Sequence, residues 1–305
     1  MALPVIIDCD PGVDDAIALL LALGSPELTL LGITTVAGNV PLSLTTENAR
    51  RICQLANRQV PVYAGCPRPL LRPLLTAEHV HGATGLAGTP LPQPTHPLGA
   101  QHAVNFLIEQ LQEAEAGVTL AMLGPLTNLA LALVQAPEII QNIERVVIMG
   151  GAITRGNVTA SAEFNIYVDP HAADIVATAG LPITLISLDV THQAVTTPAR
   201  LQRIRDLGTE VAAAAADLLA YYGQLDCEKF NLEGAPLHDP CVIAYMLNPE
   251  IFKGRPMELK IETSSPLTLG RTVVDPQAEF PNAQILEHID SDKFYNLLTE
   301  RLGKL

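Results

Sequence analysis

Short apolar runs that stop at glycine, proline or an acidic residue alternate with stretches of helical period along the first two thirds of the chain. Pro4 to Cys9 reads as a strand, Asp14 to Leu23 as a helix stopped by Gly24 and Pro26, and Leu28 to Val36 as a second strand, a βαβ unit. Further strands are predicted at Val60 to Tyr63, Val118 to Leu123, Arg145 to Met149 and Ile183 to Leu188. Helices are predicted over Gln101 to Glu113, after Pro125 and over Asp169 to Ala179. This alternation predicts an α/β fold with an open, mostly parallel central sheet and helices on both faces. Two helices, Pro198 to Asp206 and Thr209 to Leu225, interrupt it. Past Ile243 to Leu247, the stretches Met257 to Glu262, Arg271 to Val274 and Gln284 to His288 read as short strands of a small antiparallel edge, before a last helix from Ser291. No internal repeat is present, and the proline-rich Pro90 to Pro97 reads as an ordered surface loop, so residues 1–305 are expected to form a single domain. In such sheets ligands sit beyond the carboxyl ends of the strands, which directs attention to the residues just after each one.

Composition narrows the function. The 305 residues carry 18 Lys plus Arg against 32 Asp plus Glu, a formal charge of -14, with 48% hydrophobic residues and no Trp. Without a basic cluster, neither nucleic acid nor an anionic membrane is an expected partner; a neutral or cationic small molecule is. The five cysteines form no C-x-x-C pair and leave one over, which argues against a disulfide framework and for a reducing compartment, the cytoplasm. The first ten residues lack the basic start of a signal peptide, and no apolar run reaches the roughly 20 residues that span a bilayer. Asn157-Val158-Thr159 matches a glycosylation sequon, read as accidental without a secretory signal.

Asp8-Cys9-Asp10-Pro11-Gly12-Val13-Asp14-Asp15 places four carboxylates within eight positions at a strand end and helix start. Two carboxylates about 4 Å apart repel by roughly 4 kcal/mol at an effective dielectric of about 20, which favours protonation or a bound cation. Carboxylates without Cys or His select a hard ion, Ca²⁺ or Mg²⁺, over zinc. The cluster is not an EF-hand loop, because Gly12 falls where a ligand is required, and no phosphate-binding glycine loop is present. Two other readings stay open on these residues alone. Asp14 and Asp15 can simply favour a helix N-terminus while Asp8 and Asp10 serve as turn residues. Alternatively, Asp8-x-Asp10 can be the aspartyl nucleophile and acid of a Mg²⁺-dependent phosphatase.

The segment Asp8 to Ala16 resembles the signature of the inosine-uridine preferring nucleoside hydrolases, Ca²⁺-dependent ribonucleoside N-ribohydrolases. It is joined in order by Thr35-Val36-Ala37-Gly38-Asn39, His81-Gly82-Ala83-Thr84-Gly85, Gly124-Pro125-Leu126-Thr127-Asn128, Met149-Gly150-Gly151, Ala162-Glu163-Phe164-Asn165 and His238-Asp239. The resemblance implies a Rossmann-like nucleoside hydrolase fold. It implies Ca²⁺ held by Asp10, Asp15, Asp239 and the backbone carbonyl of Leu123, with Asp10 also the general base for the attacking water. Asp14, Asn39 and Asn165 would bind the ribose hydroxyls, and Asn157 with Glu163 the 5′-hydroxyl side. His238 would assist the leaving base, His81 would lie close to the nucleobase, and Phe164 would pack beneath the ribose. Phe230 and Asp226 stand where pyrimidine-preferring members carry Tyr and Gln, and Tyr221 to Glu233 would wall the base, with aromatic stacking from Tyr221, Tyr222 or Phe230. The implied reaction frees nucleobase and ribose through an oxocarbenium-like transition state, for nucleoside salvage or catabolism, in a homo-oligomer, dimer or tetramer. A protein that binds nucleoside or ribose on the same fold without catalysis is the alternative.

Overall fold

Strand β1 (Leu3–Cys9) is buried almost throughout, as the centre of a covered sheet must be. The computed structural model describes residues 2–230 and 234–305, with 224–230 as backbone only. Helix α1 (Val13–Leu23) follows and is buried at every position, which explains why its sequence is apolar all round rather than striped. Strand β2 (Leu28–Thr35), helix α2 (Leu42–Leu55), strand β3 (Val62–Ala64) and the short helix α3 (Glu78–His81) come next. Helix α4 (Ala103–Glu113), strand β4 (Val118–Met122), helix α5 (Thr127–Gln135) and strand β5 (Ile143–Met149) continue the alternation. Helices α6 (Phe164–Val168) and α7 (Pro170–Thr178), strand β6 (Ile183–Ile186) and helix α8 (Leu188–Thr191) lead to strand β7 (Val195–Thr196), helices α9 (Pro198–Arg205) and α10 (Glu210–Phe230) and strand β8 (Ala235–Pro236). Helix α11 (Pro240–Leu247), strands β9 (Phe252–Ile261), β10 (Thr272–Asp275) and β11 (Ala283–Ile289) and helix α12 (Ser291–Leu302) complete the described chain.

The main sheet has nine strands in the order β10-β9-β11-β6-β5-β4-β1-β2-β3. From β1 the chain builds outward to β2 and β3 on one side and to β4, β5 and β6 on the other, all parallel. The order therefore reverses between β1 and β4, and a crevice opens at their carboxyl ends. The expected antiparallel edge is β9, which runs against both β11 and β10, whereas β11 joins β6 in parallel and so extends the main sheet. Strand alternation divides the core: Val5, Ile7 and Cys9 face one apolar cluster and Ile6 the other.

No element was expected between Val36 and Val60, yet α2 occupies that interval. Its first turns contain the weak helix formers Ser43, Thr45 and Thr46, and the buried residues are Thr45, Thr46, Asn48, Ala49, Ile52 and Cys53, so tertiary packing adds to what propensity supplies. The helix matters to the crevice because Asn48 donates to the carbonyls of Pro11, at 2.9 Å, and Thr84, at 2.8 Å, tying the β1–α1 turn to the loop after His81.

Under the crevice floor, Asn128 of α5 donates to Asp8 Oδ2 at 2.7 Å and to the Thr35 carbonyl at 3.0 Å, and accepts from the Cys66 amide at 2.9 Å. Three strand ends are thus held by one fully buried amide. Asn128→Leu leaves the buried Cys66 N–H without an acceptor and takes from the buried Asp8 carboxylate one of its two donors, Thr34 remaining, so denaturant unfolding should show a loss of about 2–5 kcal/mol; a change below about 0.5 kcal/mol would contradict this role.

Candidate active site

Asp10 is the first residue past β1 and is fully buried. Its Oδ2 accepts the Asn39 amide at 2.7 Å, while its Oδ1 is buried without a hydrogen-bond partner. Glycines make room for it: a methyl group on Gly38 or Gly124 would run into the Asp10 carboxylate. Asp15, in the first turn of α1, accepts the amides of Asp10 at 3.1 Å and Gly12 at 2.9 Å and the Asn39 side chain at 3.1 Å. Asp239 stands at the N-cap of α11 but makes no capping bond, so its carboxylate is not spent on the helix. Oxygens of Asp14, Asp15 and Asp239, all buried, lie within 4.8 Å of one another.

These charges are costly. Burial, and then the neighbouring carboxylates, raise the Asp10 and Asp239 carboxyls well above the ordinary range. Burial also lifts Asp15 to about 6 against the opposing pull of its amide donors. No Lys or Arg is among the described residues lining the cavity beside them. A partnerless Asp10 oxygen, clustered oxygens and no resident cation fit a bound hard metal ion. Leu123, just past β4 where the sheet order reverses, also lines the cavity, and its carbonyl accepts the Asn165 side chain at 2.7 Å.

The cavity holds about 340 Å³ and is bordered by Asp14, Asn39, His81, Leu123, Asn157, Glu163, Phe164, Asn165, His238 and Asp239. Asp10 and Asp15 lie just beneath this wall, bonded to Asn39. Phe230, assigned to the base, and Asp226 have side chains outside the described residues. Glu163 caps α6: one carboxylate oxygen takes the Asn165 amide at 2.9 Å, the other the amides of Gly151 at 2.9 Å and Ile166 at 3.2 Å. Burial, opposed by those amides, moves its carboxyl up to about 7. Asn157 accepts the Phe164 amide through Oδ1 at 3.0 Å, which leaves its Nδ2 as donor.

Asp8 belongs to the floor, not the crevice. Alternation turns it onto the face of Ile6, where it is 1% exposed and bonded by Thr34 at 2.5 Å and by Asn128. A phosphatase nucleophile must face its substrate, whereas the Asp8 carboxylate is turned to Thr34 and Asn128.

Two histidines hold defined positions. The Val13 amide donates to His81 Nδ1 at 3.1 Å, so the neutral ring carries its proton on Nε2. The His81 ring also stacks on Tyr222, with centroids 5.6 Å apart. His238 Nδ1 is 2.7 Å from the Thr191 hydroxyl, and the His192 ring lies 5.8 Å away. Burial lowers both His81 and His238 to about 3. Leu75, Thr76, His79 and Val158 also border the cavity, although no motif marked them. The first three follow a loop pinned by Asp169, whose carboxylate accepts the Leu70 amide at 2.9 Å and the Thr127 hydroxyl at 2.7 Å, bonds between residues far apart in the chain.

Fold and site together define an α/β protein that gathers carboxylates and amides at the reversal point of a parallel sheet, equipment for a cation and a polyhydroxylated ligand. Residues 5–296 match the family described as inosine-uridine preferring nucleoside hydrolase. The pyrimidine-specific ribonucleoside hydrolase RihA of Enterobacter sp. (strain 638) is 47% identical, covering 100% of this chain and 99% of its own. Among solved structures, the purine-preferring ribonucleoside hydrolase of Gardnerella vaginalis superposes with a TM-score of 0.93 at 34% identity, over 98% of each chain. A plant nucleoside hydrolase does so with 0.94 at 30% identity, over 99% of each chain. The chain belongs to the inosine-uridine preferring nucleoside hydrolase family, and it is a hydrolase acting on ribonucleosides.

A histidine lowered from 6.5 to about 3 on folding stays neutral at neutral pH. Its stabilisation is complete above 6.5 and lost as pH falls toward 3, where the unfolded chain binds the proton first. In an NMR titration from pH 8 to 5 the His81 and His238 rings should not shift; a midpoint near 6.5 for either would contradict their burial.

Proposed function

We propose that this chain hydrolyses the N-glycosidic bond of ribonucleosides, releasing free base and ribose with the help of bound Ca²⁺, and that pyrimidine ribonucleosides are its better substrates. The observation that carries the reading is the partnerless Asp10 oxygen beside the Asp14, Asp15 and Asp239 cluster, just beneath a cavity lined by the amides of Asn39, Asn157 and Asn165. Calcium as the ion rests on an all-oxygen donor set of Asp10, Asp15, Asp239 and the Leu123 carbonyl. The pyrimidine preference rests on the 47% identity to an enzyme named pyrimidine-specific, against 34% to one named purine-preferring.

When bound, calcium would acidify a water molecule and hold the ribose 2′- and 3′-hydroxyls. The protein's own groups do the rest. Asp10 Oδ1 accepts the proton of the water that attacks C1′, while the electrons of the C1′–N bond leave with the base. The buried carboxylates stabilise the positive charge that develops on the ribosyl ring. Asn39, Asn165 and Asp14 hold the ribose hydroxyls, Asn157 and Glu163 the 5′ side, and Phe164 the underside of the sugar. His81 and His238 face the base with buried, neutral rings rather than standing positive charges, and His81, whose Nδ1 accepts the Val13 amide, donates through Nε2.

A single-domain subunit, a dimeric or tetrameric assembly and a cytoplasmic place complete the proposal. Among the described residues no helix is long and apolar enough to cross a membrane. Non-catalytic binding of nucleoside or ribose is disfavoured because Asp10, Asp15, Asn165, His238 and Asp239 are all present.

Free ribose should appear from uridine and cytidine faster than from inosine and adenosine, vanish on chelation and return with calcium. Folded, calcium-loaded protein that releases none would refute the reading. Asp10→Ala should cut turnover by about 10²–10⁴-fold; an Asp10→Ala enzyme with near-normal turnover would remove Asp10 as the base. Calcium at about 100 times its dissociation constant should stabilise the fold by roughly 2.7 kcal/mol, measured as a rise in melting temperature that chelator reverses.

A further inference from the structure

We propose that Thr191 is a positioning residue for base departure: its hydroxyl donates to His238 Nδ1 and so commits the His238 proton to Nε2, the ring atom left for the nucleobase. The proposal rests on the nucleoside hydrolase reading of the site and adds a residue that none of the motifs contains.

The geometry comes from two segments clipped together by a small sheet separate from the main one. The two-stranded β7–β8 ladder pairs Thr196 with Ala235 and Val195 with Pro236, and the Leu237 amide continues it by donating to the Ala194 carbonyl at 2.9 Å. Helix α8 ends a few residues before this ladder and His238 begins just after it, so the two side chains meet across its end at 2.7 Å. The Thr191 backbone is held by its own amide bond to the Ser187 carbonyl, at 3.1 Å, and the Leu188 amide is bound to Gly151 at 3.0 Å. Thr191 is fully buried.

Among the described residues the Thr191 hydroxyl has no other hydrogen-bond partner, so its proton has one acceptor, His238 Nδ1. A ring that accepts at Nδ1 is a donor at Nε2. With the tautomer reversed, the hydroxyl proton would be buried without an acceptor, at a cost of about 1–3 kcal/mol. His238 borders the cavity. There, an Nε2–H aimed at an acceptor atom on the base takes up part of the negative charge that arrives with the C1′–N electrons. A leaving group that carries negative charge easily needs no such donor, and this separates a positioning role from a merely structural one.

Turnover of uridine is compared with turnover of 4-nitrophenyl β-D-ribofuranoside, whose nitrophenolate leaves unaided. Thr191→Val, nearly the same shape without the hydroxyl, should lower kcat on uridine by about 10- to 100-fold with little change in KM, and leave the nitrophenyl riboside rate within about twofold. Thr191→Ser should restore uridine turnover. His238→Ala should show the same split between substrates, and the Thr191→Val/His238→Ala double variant should lose nothing further on uridine. Equal losses on both substrates, no loss on either, or additive losses in the double variant would overturn the assignment. Should Thr191→Val fail to fold, ¹⁵N NMR of the unmodified enzyme decides: His238 protonated on Nε2 supports the proposal, and protonation on Nδ1 overturns it. Failure of the underlying reading looks different, because the unmodified enzyme would then release no ribose from any nucleoside.

Discussion

Mutual repulsion among buried carboxylates is the constraint around which this protein is organised. Asp10, Asp14, Asp15 and Asp239 converge from the end of β1, the start of α1 and the start of α11 into a region without a cationic side chain among the described residues of its wall. Backbone and side-chain amides offset part of the cost: Asn39 serves Asp10 and Asp15, and the amides of Asp10 and Gly12 turn toward Asp15. The N-terminal end of α1 adds a favourable field. These donors do not neutralise the cluster, since burial still drives the Asp10 and Asp239 carboxyls far above their ordinary range. A site that withholds its own counter-charge is arranged to receive one from a ligand.

The fold's topology sets where that ligand sits. Because the sheet builds outward from β1 in both directions, the loops after β1 and β4 part at the reversal point and no crossover covers them. Asp10 and Leu123 follow directly on β1 and β4, and the glycines at 38 and 124 leave room for the Asp10 carboxylate. Beneath the gap, Asp8 and Asn128 close a polar network in which Asn128 also binds Thr35 and Cys66. Two aspartates two residues apart thus acquire opposite duties. The pleat turns one into the floor, and past the strand's end the other lies just beneath the cavity wall, bonded to Asn39.

The histidines border the same cavity. Each has one ring nitrogen occupied by a protein group, the Val13 amide for His81 and the Thr191 hydroxyl for His238. Burial keeps both rings neutral. An anionic floor and a wall of neutral donors suit a reaction in which positive charge grows on a sugar and negative charge on its departing base.

The sequence alone determined the sheet, because near-continuous apolar runs such as Val5 to Ile7 and Val118 to Met122 have no stable place except inside a covered parallel sheet. It also marked the acidic cluster, since Asp8 to Asp15 are neighbours in the chain. It did not mark α2, whose first turns contain the weak helix formers Ser43, Thr45 and Thr46, nor the parallel placement of β11, which no local pattern distinguishes from an antiparallel edge. The arrival of Asp239 beside Asp14 and Asp15, the retreat of Asp8 into the floor, and the meeting of Thr191 with His238 were decided by tertiary structure. Each depends on contacts between residues 26 to more than 200 positions apart, and a chain pattern records periodicity within an element but not which distant elements meet.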